Sequence, residues 1–371
     1  MDNEQKDSST PRFLISGGGT GGHIFPAISI ANALREIYPQ CEILFIGALG
    51  RMEMERVPRA GYNIIGLPVR GLNRKNLFKN FSVIRDLFKS VKQAKKIIEE
   101  FRPNVAIGVG GYASGAAMKA AADMKIPVLL QEQNSFAGVT NKMLRRKAST
   151  ICVAYEGMER FFPKEKLVLT GNPIRQSLAN GDRIEAYKHY GFSPNLKTLL
   201  IIGGSLGART INQSVIVHLD EISKSGIQVL WQTGKGYIDA AKRAAKKIEN
   251  TNLIITDFVD HMELAYAMAD AVISRAGASS ISELCMLGKP SILVPSPNVA
   301  EDHQTHNAMA LVNKEAAILV RDTDAEDQLI NTALALLNND AKMQFLSSNI
   351  KKLAQTDSAK RIAQEVCKLI R

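Results

Sequence analysis

The sequence predicts an α/β protein of two Rossmann-like domains whose parallel sheets face each other across a cleft. Three observations carry this. Apolar, β-branched runs alternate with segments of helical period along the chain, as expected of parallel sheets covered by helices on both faces. A strand, a glycine loop and a helical segment start afresh at Thr198. Three glycine-rich loops each follow a strand candidate. A chain of 371 residues is long enough for two full cores.

The strand candidates of the first half are Phe13–Ser16, Ile43–Ile46, Ile64–Leu67, Val105–Val109, Val128–Gln131 and Thr150–Val153. Those of the second half are Thr198–Ile202, Gln228–Gln232, Leu253–Thr256, Ala271–Ser274, Ser291–Val294 and Ile318–Val320. Helical patterns fill the gaps, among them Ala27–Tyr38, Ile84–Glu100 and Ile281–Leu287. Asn-Pro in "GNPIR" interrupts regular structure. It places the boundary between a first domain, 1–175, and a second, 176–356. The last helix, about 357–371, is apolar on one face and can pack back on the first domain.

Composition narrows the class. With 45% hydrophobic and 22% charged residues the chain reads as globular. Its opening "MDNEQKDSST" lacks the pattern of a signal peptide, and no apolar run approaches the ~20 residues that span a bilayer. Cys41, Cys152, Cys285 and Cys367 are scattered without metal spacing. They are expected to be reduced, buried thiols of a cytosolic protein. The net charge of +11 is uneven: 26 Lys and Arg stand against 15 Asp and Glu up to Arg175, and 21 against 21 after it. The first half is therefore the one suited to an anionic surface or polyanion.

The three loops are "GGGTGGH" (Gly17–His23), "GVGGYASG" (Gly108–Gly115) and "GGSLGAR" (Gly203–Arg209). Each leads into a helical segment, where backbone N–H groups and the helix dipole favour an anion. The first also satisfies G-x-G-x-x-G, which raises a nucleotide-binding oxidoreductase as an alternative. That reading needs a ribose-binding acid after the second strand. The strand ends "FIGALG", with no carboxylate before Glu53. There is no P-loop motif.

Seven stretches occur in order between Phe13 and about Val320: "GGGTGGHIFPA", "GVGGYASG", "QEQNSFAGVTN", "GNPIR", "GGSLGARTIN", "RAGASSISE" and "EDHQTHNA". Together they resemble glycosyltransferase family 28, in particular its members that add N-acetylglucosamine in bacterial peptidoglycan synthesis. The resemblance implies a GT-B fold and an inverting transfer from UDP-GlcNAc. The acceptor would be the muramoyl 4-hydroxyl of lipid I, undecaprenyl-pyrophosphoryl-MurNAc-pentapeptide, and the products lipid II and UDP. It also implies no metal or other cofactor, a peripheral place on the cytoplasmic face of the bacterial membrane, and partners among cell-wall synthesis and division proteins. Within the class, a UDP-sugar transfer to another lipid acceptor is the alternative.

By the same resemblance, the donor is contacted by Thr20, Gly21, Gly22, Asn134, Arg175, Ser205, Val259, Ala278, Ser279, Ser280, Glu283 and Gln304. Gly18, Gly19, Gly110, Gly111 and Tyr112 line the acceptor pyrophosphate loops. Residue chemistry adds its own reasons. Arg175 offers a cation to a leaving diphosphate, or a salt bridge at a domain boundary. Ser205 sits mid-loop with a hydroxyl for a phosphate oxygen. Glu283 is expected to bind ribose hydroxyls, and the spacing Ser280-x-x-Glu283 also fits a capping box. His303 accompanies Gln304 as a sugar contact, and Phe258 accompanies Val259 as a reader of uracil through the backbone.

The attacking hydroxyl must lose a proton, and histidine suits that task near neutral pH. Of six histidines, His23 alone lies in a strand-end glycine loop. It is the candidate catalytic residue, as base or as a group that polarises substrate, and Glu132 is a weaker base candidate. Asp322-Thr323-Asp324 has the D-x-D form of a metal site. It precedes a helical pattern, so Asp324 reads as an N-cap and no metal is expected.

From Arg70 to Lys96 the chain carries nine Lys and Arg and one acid. Leu77, Phe81, Ile84, Phe88 and Val91 form one helical stripe, expected to be core from Ile84 on. Leu77, Phe78 and Phe81 among Arg74, Lys75 and Lys79 form an apolar tip ringed by cations, suited to an anionic bilayer. No nucleic-acid motif accompanies it.

Overall fold

The computed structural model describes residues 10–69, 80–204, 206–248 and 252–370, the side chains of 80–84 and 300 excepted. The chain forms two compact units, Met1–Ile174 with Asp357–Arg371, and Arg175–Thr356. The division falls one residue before the expected boundary, so Arg175 belongs to the second unit.

The first unit runs β1 (Arg12–Gly17), α1 (Gly21–Ile37), β2 (Glu42–Ala48), α2 (Glu53–Arg59), β3 (Asn63–Leu67), α3 (Asn80–Phe101), β4 (Val105–Gly110), α4 (Tyr112–Asp123), β5 (Val128–Glu132), α5 (Val139–Leu144), β6 (Thr150–Val153) and β7 (Leu167–Leu169). Its sheet is parallel, in the order β3-β2-β1-β4-β5-β6-β7. Alternation along the strands feeds two cores. Leu14, Ala106 and Leu130 face α3 and α4, while Phe13, Ile15, Val105 and Ile107 face α1. The strand β7 is not among the sequence candidates: three residues before a Gly-Asn-Pro turn give too short a pattern.

The second unit runs α6 (Arg183–Tyr190), β8 (Thr198–Ile202), α7 (Arg209–Val217), α8 (Leu219–Lys224), β9 (Gln228–Gln232), α9 (Ile238–Ala245), β10 (Leu253–Thr256), α10 (Met262–Met268), β11 (Ala271–Ser274), α11 (Ala278–Leu287), β12 (Ser291–Leu293), α12 (His303–Val312), β13 (Ile318–Leu319), α13 (Ala325–Leu337) and α14 (Asp340–Lys352). Its parallel sheet has the order β10-β9-β8-β11-β12-β13. The chain then returns to the first unit as α15 (Ser358–Cys367), whose Ile362, Ala363 and Val366 are buried in the core beneath α1.

Two sequence expectations change. The first helix starts at Gly21, six residues before Ala27, and runs through Pro26. Glycines depress helix propensity, but here they occupy the first turn, where the backbone amides have no helical partner anyway. On α3 the buried face is Ser90, Ala94, Ile97 and Ile98, which pack with the alanines of α4. Phe88, expected in the core, is 71% exposed. Small residues at positions 90 and 94 let the helices approach, and that rotates Phe88 outward. Cys41, Cys152 and Cys285 are buried and Cys367 is half-buried.

Truncating Ile362 to alanine should weaken the first unit by about 2–5 kcal/mol. Urea unfolding followed by circular dichroism checks this. Trp231, the sole tryptophan, lies in the second unit, so its fluorescence transition should stay in place.

Candidate active site at two sheet switch points

In each sheet the strand order reverses once, between β1 and β4 and between β8 and β11. Neighbouring loops diverge there and leave a crevice beyond the carboxyl ends of the strands. All three glycine loops lie at these points.

In the first unit the loops after β1 and β4 touch. The Gly18 N–H donates to the Gly110 carbonyl at 3.3 Å. A Cβ at Gly111 would stand 2.4 Å from the Gly18 oxygen, and one at Gly110 would stand 2.8 Å from His23 Nε2. Both glycines have positive φ, +91° and +109°, so here glycine is required twice over, by conformation and by space. Thr20 is the N-cap of α1 and makes no side-chain cap bond. The amides of Gly21 and Gly22 therefore stand at a helix N-terminus with no acid in the first turn, a setting for an anion. Tyr112 opens α4 and is exposed.

His23 is the third residue of α1, not a loop residue. Its Nδ1 lies 3.1 Å from the Gly18 carbonyl oxygen and 3.4 Å from Thr20 Oγ1. A carbonyl only accepts, so Nδ1 carries the proton and Nε2 is the basic nitrogen. That tautomer is the one a general base beside Gly110 requires.

Glu53, which sequence reasoning set aside as a missing ribose acid, is fully buried. Its Oε2 accepts from Gly19 N–H and its Oε1 from Ala48 N–H, each at 3.0 Å. The cue in the sequence is an acid closely following β2 in a chain that needs its first loop held.

Glu132 does not fit a base. Its Oε1 accepts from the backbone and side-chain amides of Asn134 at 3.1 and 3.3 Å. Its Oε2 accepts from Gly138 N–H and Asn141 Nδ2, both at 2.9 Å. Four donors hold it as a buried pin for the loop that carries Asn134.

In the second unit a cavity of about 670 Å³ occupies the β8/β11 switch point. Gly203, Gly204, Leu206 and Gly207 of the third loop line it, with Gly277 and Ser280 of the α11 start and Gln304. The loop is packed hard on the end of β9: a Cβ at Gly207 would stand 2.0 Å from the Thr233 carbonyl oxygen. Gln304 Oε1 accepts from Ser296 N–H at 2.9 Å, which orients its amide at the cavity wall. His303 begins α12. Ser205 lies outside the described residues, as do Leu77, Phe78, Arg74, Lys75 and Lys79 and the side chain of Phe81. Ala278 and Ser279 form the first turn of α11. Phe258 is exposed and Val259 is buried.

Arg275, missed although it opens "RAGASSISE", supplies a cation to the cavity. Its Nη1 donates to Asp322 Oδ1 and to the carbonyls of Val294 and Pro295, the latter two at 3.1 Å. Asp322 Oδ2 also accepts from Thr210 Oγ1 at 2.9 Å. Asp324 stands at the N-cap of α13 without capping it. Its carboxylate accepts instead from Arg321 Nε and Thr323 Oγ1, each at 2.8 Å.

The capping-box reading of Ser280 and Glu283 fails, because Gly277 is the N-cap. Glu283 Oε2 accepts from the Tyr266 hydroxyl at 3.0 Å. Burial pushes the Glu283 carboxyl up, while the Tyr266 hydrogen bond and the Arg175 charge pull it back. The Tyr266 phenol is driven well above its usual range by burial and by Glu283. Arg175 also draws Glu263 down, after that residue's backbone hydrogen bond and His261. Arg175 thus favours the charged forms of two acids.

Replacing Gly207 with alanine sets a methyl against the Thr233 carbonyl at a φ of +78°. As the loop shifts to relieve a strain of about 1–3 kcal/mol, affinity for a nucleoside diphosphate should fall roughly 5- to 150-fold; isothermal titration measures it.

Comparison with known proteins agrees with this geometry. Residues 13–153 match the glycosyltransferase family 28 N-terminal domain, and residues 198–366 match the glycosyltransferase family 28 C-terminal domain. A protein of Phocaeicola vulgatus named UDP-N-acetylglucosamine--N-acetylmuramyl-(pentapeptide) pyrophosphoryl-undecaprenol N-acetylglucosamine transferase is 60% identical over 361 residues, covering 96% of each chain. A Bacteroides fragilis protein of the same name is 57% identical over 371 residues, covering 99% of this chain and 98% of its own. The crystal structure of Acinetobacter baumannii MurG superposes with a TM-score of 0.77 at 25% identity, covering 97% of this chain and 100% of that one. Two parallel-sheet units with glycine loops at their switch points, matched along nearly their whole length, place this chain in glycosyltransferase family 28.

Proposed function

We propose that the protein transfers N-acetylglucosamine from UDP-GlcNAc to the muramoyl 4-hydroxyl of lipid I, with inversion, giving lipid II and UDP for peptidoglycan synthesis. The observation that carries the reading is the near-full-length identity of 60% with an enzyme of that name. The site chemistry supports it. The second unit offers a diphosphate glycine amides, the start of α7 and the Arg275 guanidinium. Glu283, close to the α11 start, is the acceptor for ribose hydroxyls; burial pushes its carboxyl up, and the Tyr266 hydrogen bond and the Arg175 charge oppose that rise.

The first unit supplies the base. The acceptor oxygen attacks the anomeric carbon as its proton passes to His23 Nε2. The bond from that carbon to the β-phosphate oxygen breaks, and its electron pair leaves on UDP. Attack opposite the leaving group inverts the centre. The chemistry needs no metal in this reading: Asp322 and Asp324 are both engaged by cationic and hydroxyl partners.

The acceptor's polyprenyl chain calls for a membrane face. Among the described residues, Leu87 and Phe88 stand 41% and 71% exposed on α3, between exposed Arg85 and Lys89. They continue the basic, apolar stretch that begins at Arg70. Among the described residues no helix is long and apolar enough to cross a membrane, so the association proposed is peripheral, on the cytoplasmic face.

UDP release with UDP-GlcNAc and a lipid I analogue, in EDTA, tests the reading. Turnover is expected; no UDP from that pair overturns the function, and loss of turnover in EDTA overturns the metal-free chemistry. Substituting His23 by alanine should lower kcat by at least ~10²-fold with UDP-GlcNAc affinity kept.

Replacing Leu87 and Phe88 together by serine should weaken binding to anionic vesicles at least roughly tenfold. Binding of the parent protein should fall with added salt. Equal flotation of both proteins would remove this surface from the membrane face.

A further inference from the structure

One peptide group in the first loop is held from both sides. The Gly18 carbonyl accepts from His23 Nδ1 at 3.1 Å. The N–H of the same peptide unit, on Gly19, donates to Glu53 Oε2 at 3.0 Å. The sequence makes room for this. Glu53 is fully buried at the start of α2. A Cβ at Gly18 would lie 2.1 Å from Glu53 Oε1, and a Cβ at Gly47 would lie 2.6 Å from Glu53 Cγ. Two glycines from neighbouring strand ends therefore form the slot for one carboxylate. Its second oxygen is tied to Ala48 N–H, so the side chain cannot swing away without leaving two amide donors unmet.

We infer that Glu53 is a positioning residue for His23, acting through the Gly18–Gly19 peptide as a carboxylate–peptide–imidazole relay. The carboxylate fixes the peptide plane and polarises it, so that the Gly18 carbonyl becomes a stronger acceptor. That carbonyl then locks the imidazole with its proton on Nδ1 and stabilises the imidazolium formed when Nε2 takes a proton. The logic is that of a base oriented by a third group, with a peptide in the place where a carboxylate usually touches the ring. No proton crosses the peptide, and Glu53 never touches substrate. Other charged groups near this loop stand in solvent: Arg51, Glu55 and Arg59 at or beside α2, with the phenol of Tyr112 on α4. On α15, which packs against α1, Lys360, Arg361 and Lys368 lie at the surface and Glu365 is half-buried and paired with Lys368. Water screens the exposed ones, whereas Glu53 acts through buried, directed bonds.

The inference rests on His23 as the base, and its test separates the two. In the wild-type protein, ¹⁵N NMR of the His23 ring should report the Nδ1–H tautomer; an Nε2–H tautomer overturns the relay whatever the activity. Glu53→Gln keeps the shape and removes the charge, and it sets an NH2 group against an amide N–H. It should lower kcat roughly 10- to 100-fold, leave KM for UDP-GlcNAc within about threefold, and shift the His23 titration and the acidic limb of the pH–rate profile to lower pH. The sign follows from charge: an imidazolium without its anion gives up its proton more readily. Glu53→Asp, which retains the charge, should recover part of the shift. In a His23→Ala background the Glu53→Gln effect on kcat should vanish. An equal loss in both backgrounds with an unmoved titration would make Glu53 merely structural. A His23→Ala enzyme with full kcat would instead defeat the base assignment, with the NMR result standing apart from it.

Discussion

The structure depends on a constraint of parallel sheets: a strand order that grows outward in both directions must have a place where it reverses. At that place a crevice opens beyond the carboxyl ends of the strands. The chain places its barest backbone there in both units. Gly18 against Gly110 and Gly111 in the first, and Gly207 against Thr233 just past β9 in the second, sit closer than any side chain permits. The helices that follow bring their N-terminal amides to the same points. The backbone there presents a surface of amides, a setting that suits an anion. His23, Arg275 and Glu283 are additions to that surface.

Each of these additions is supported by a residue of opposite character. Arg275 leans on Asp322 and two carbonyls, Glu283 on Tyr266 and the charge of Arg175, and His23 on the Gly18 carbonyl. Other acids weighed for chemistry are engaged too: Asp322 holds Arg275, Glu132 pins the loop that carries Asn134, and Asp324 accepts from Arg321 and Thr323. Availability in a sequence and availability in a site are different properties, because a carboxylate near a loop end is also the best acceptor for that loop's amides.

Much of this was legible beforehand. Twelve strand candidates recur as strands, because buried parallel strands read as short β-branched runs bounded by glycine. The loops and His23 were legible on a related ground: a glycine cluster directly after a strand serves little purpose except close approach of the backbone to something else. What escaped is what depends on facing. Glu53 reads only as the first acid after the second strand until Gly18 and Gly47 are seen to open a slot for it. Phe88 reads as core until the small residues Ser90 and Ala94 turn α3 the other way. The α11 cap lies at Gly277, three residues before Ser280, so the S-x-x-E spacing falls inside the helix and signals nothing.

The return of α15 to the first unit has a consequence for synthesis of the chain. Ile362, Ala363 and Val366 complete a core begun at Phe13, so that core stays open until α15 has left the ribosome. The second unit is continuous, from Arg175 to Thr356, and holds all its own strands before then. Vectorial emergence therefore lets the second unit finish first, while the unit carrying His23 waits with apolar surface uncovered on α1. Removal of α15 would take no residue from any of the three glycine loops, and would leave open the core of the unit that carries His23.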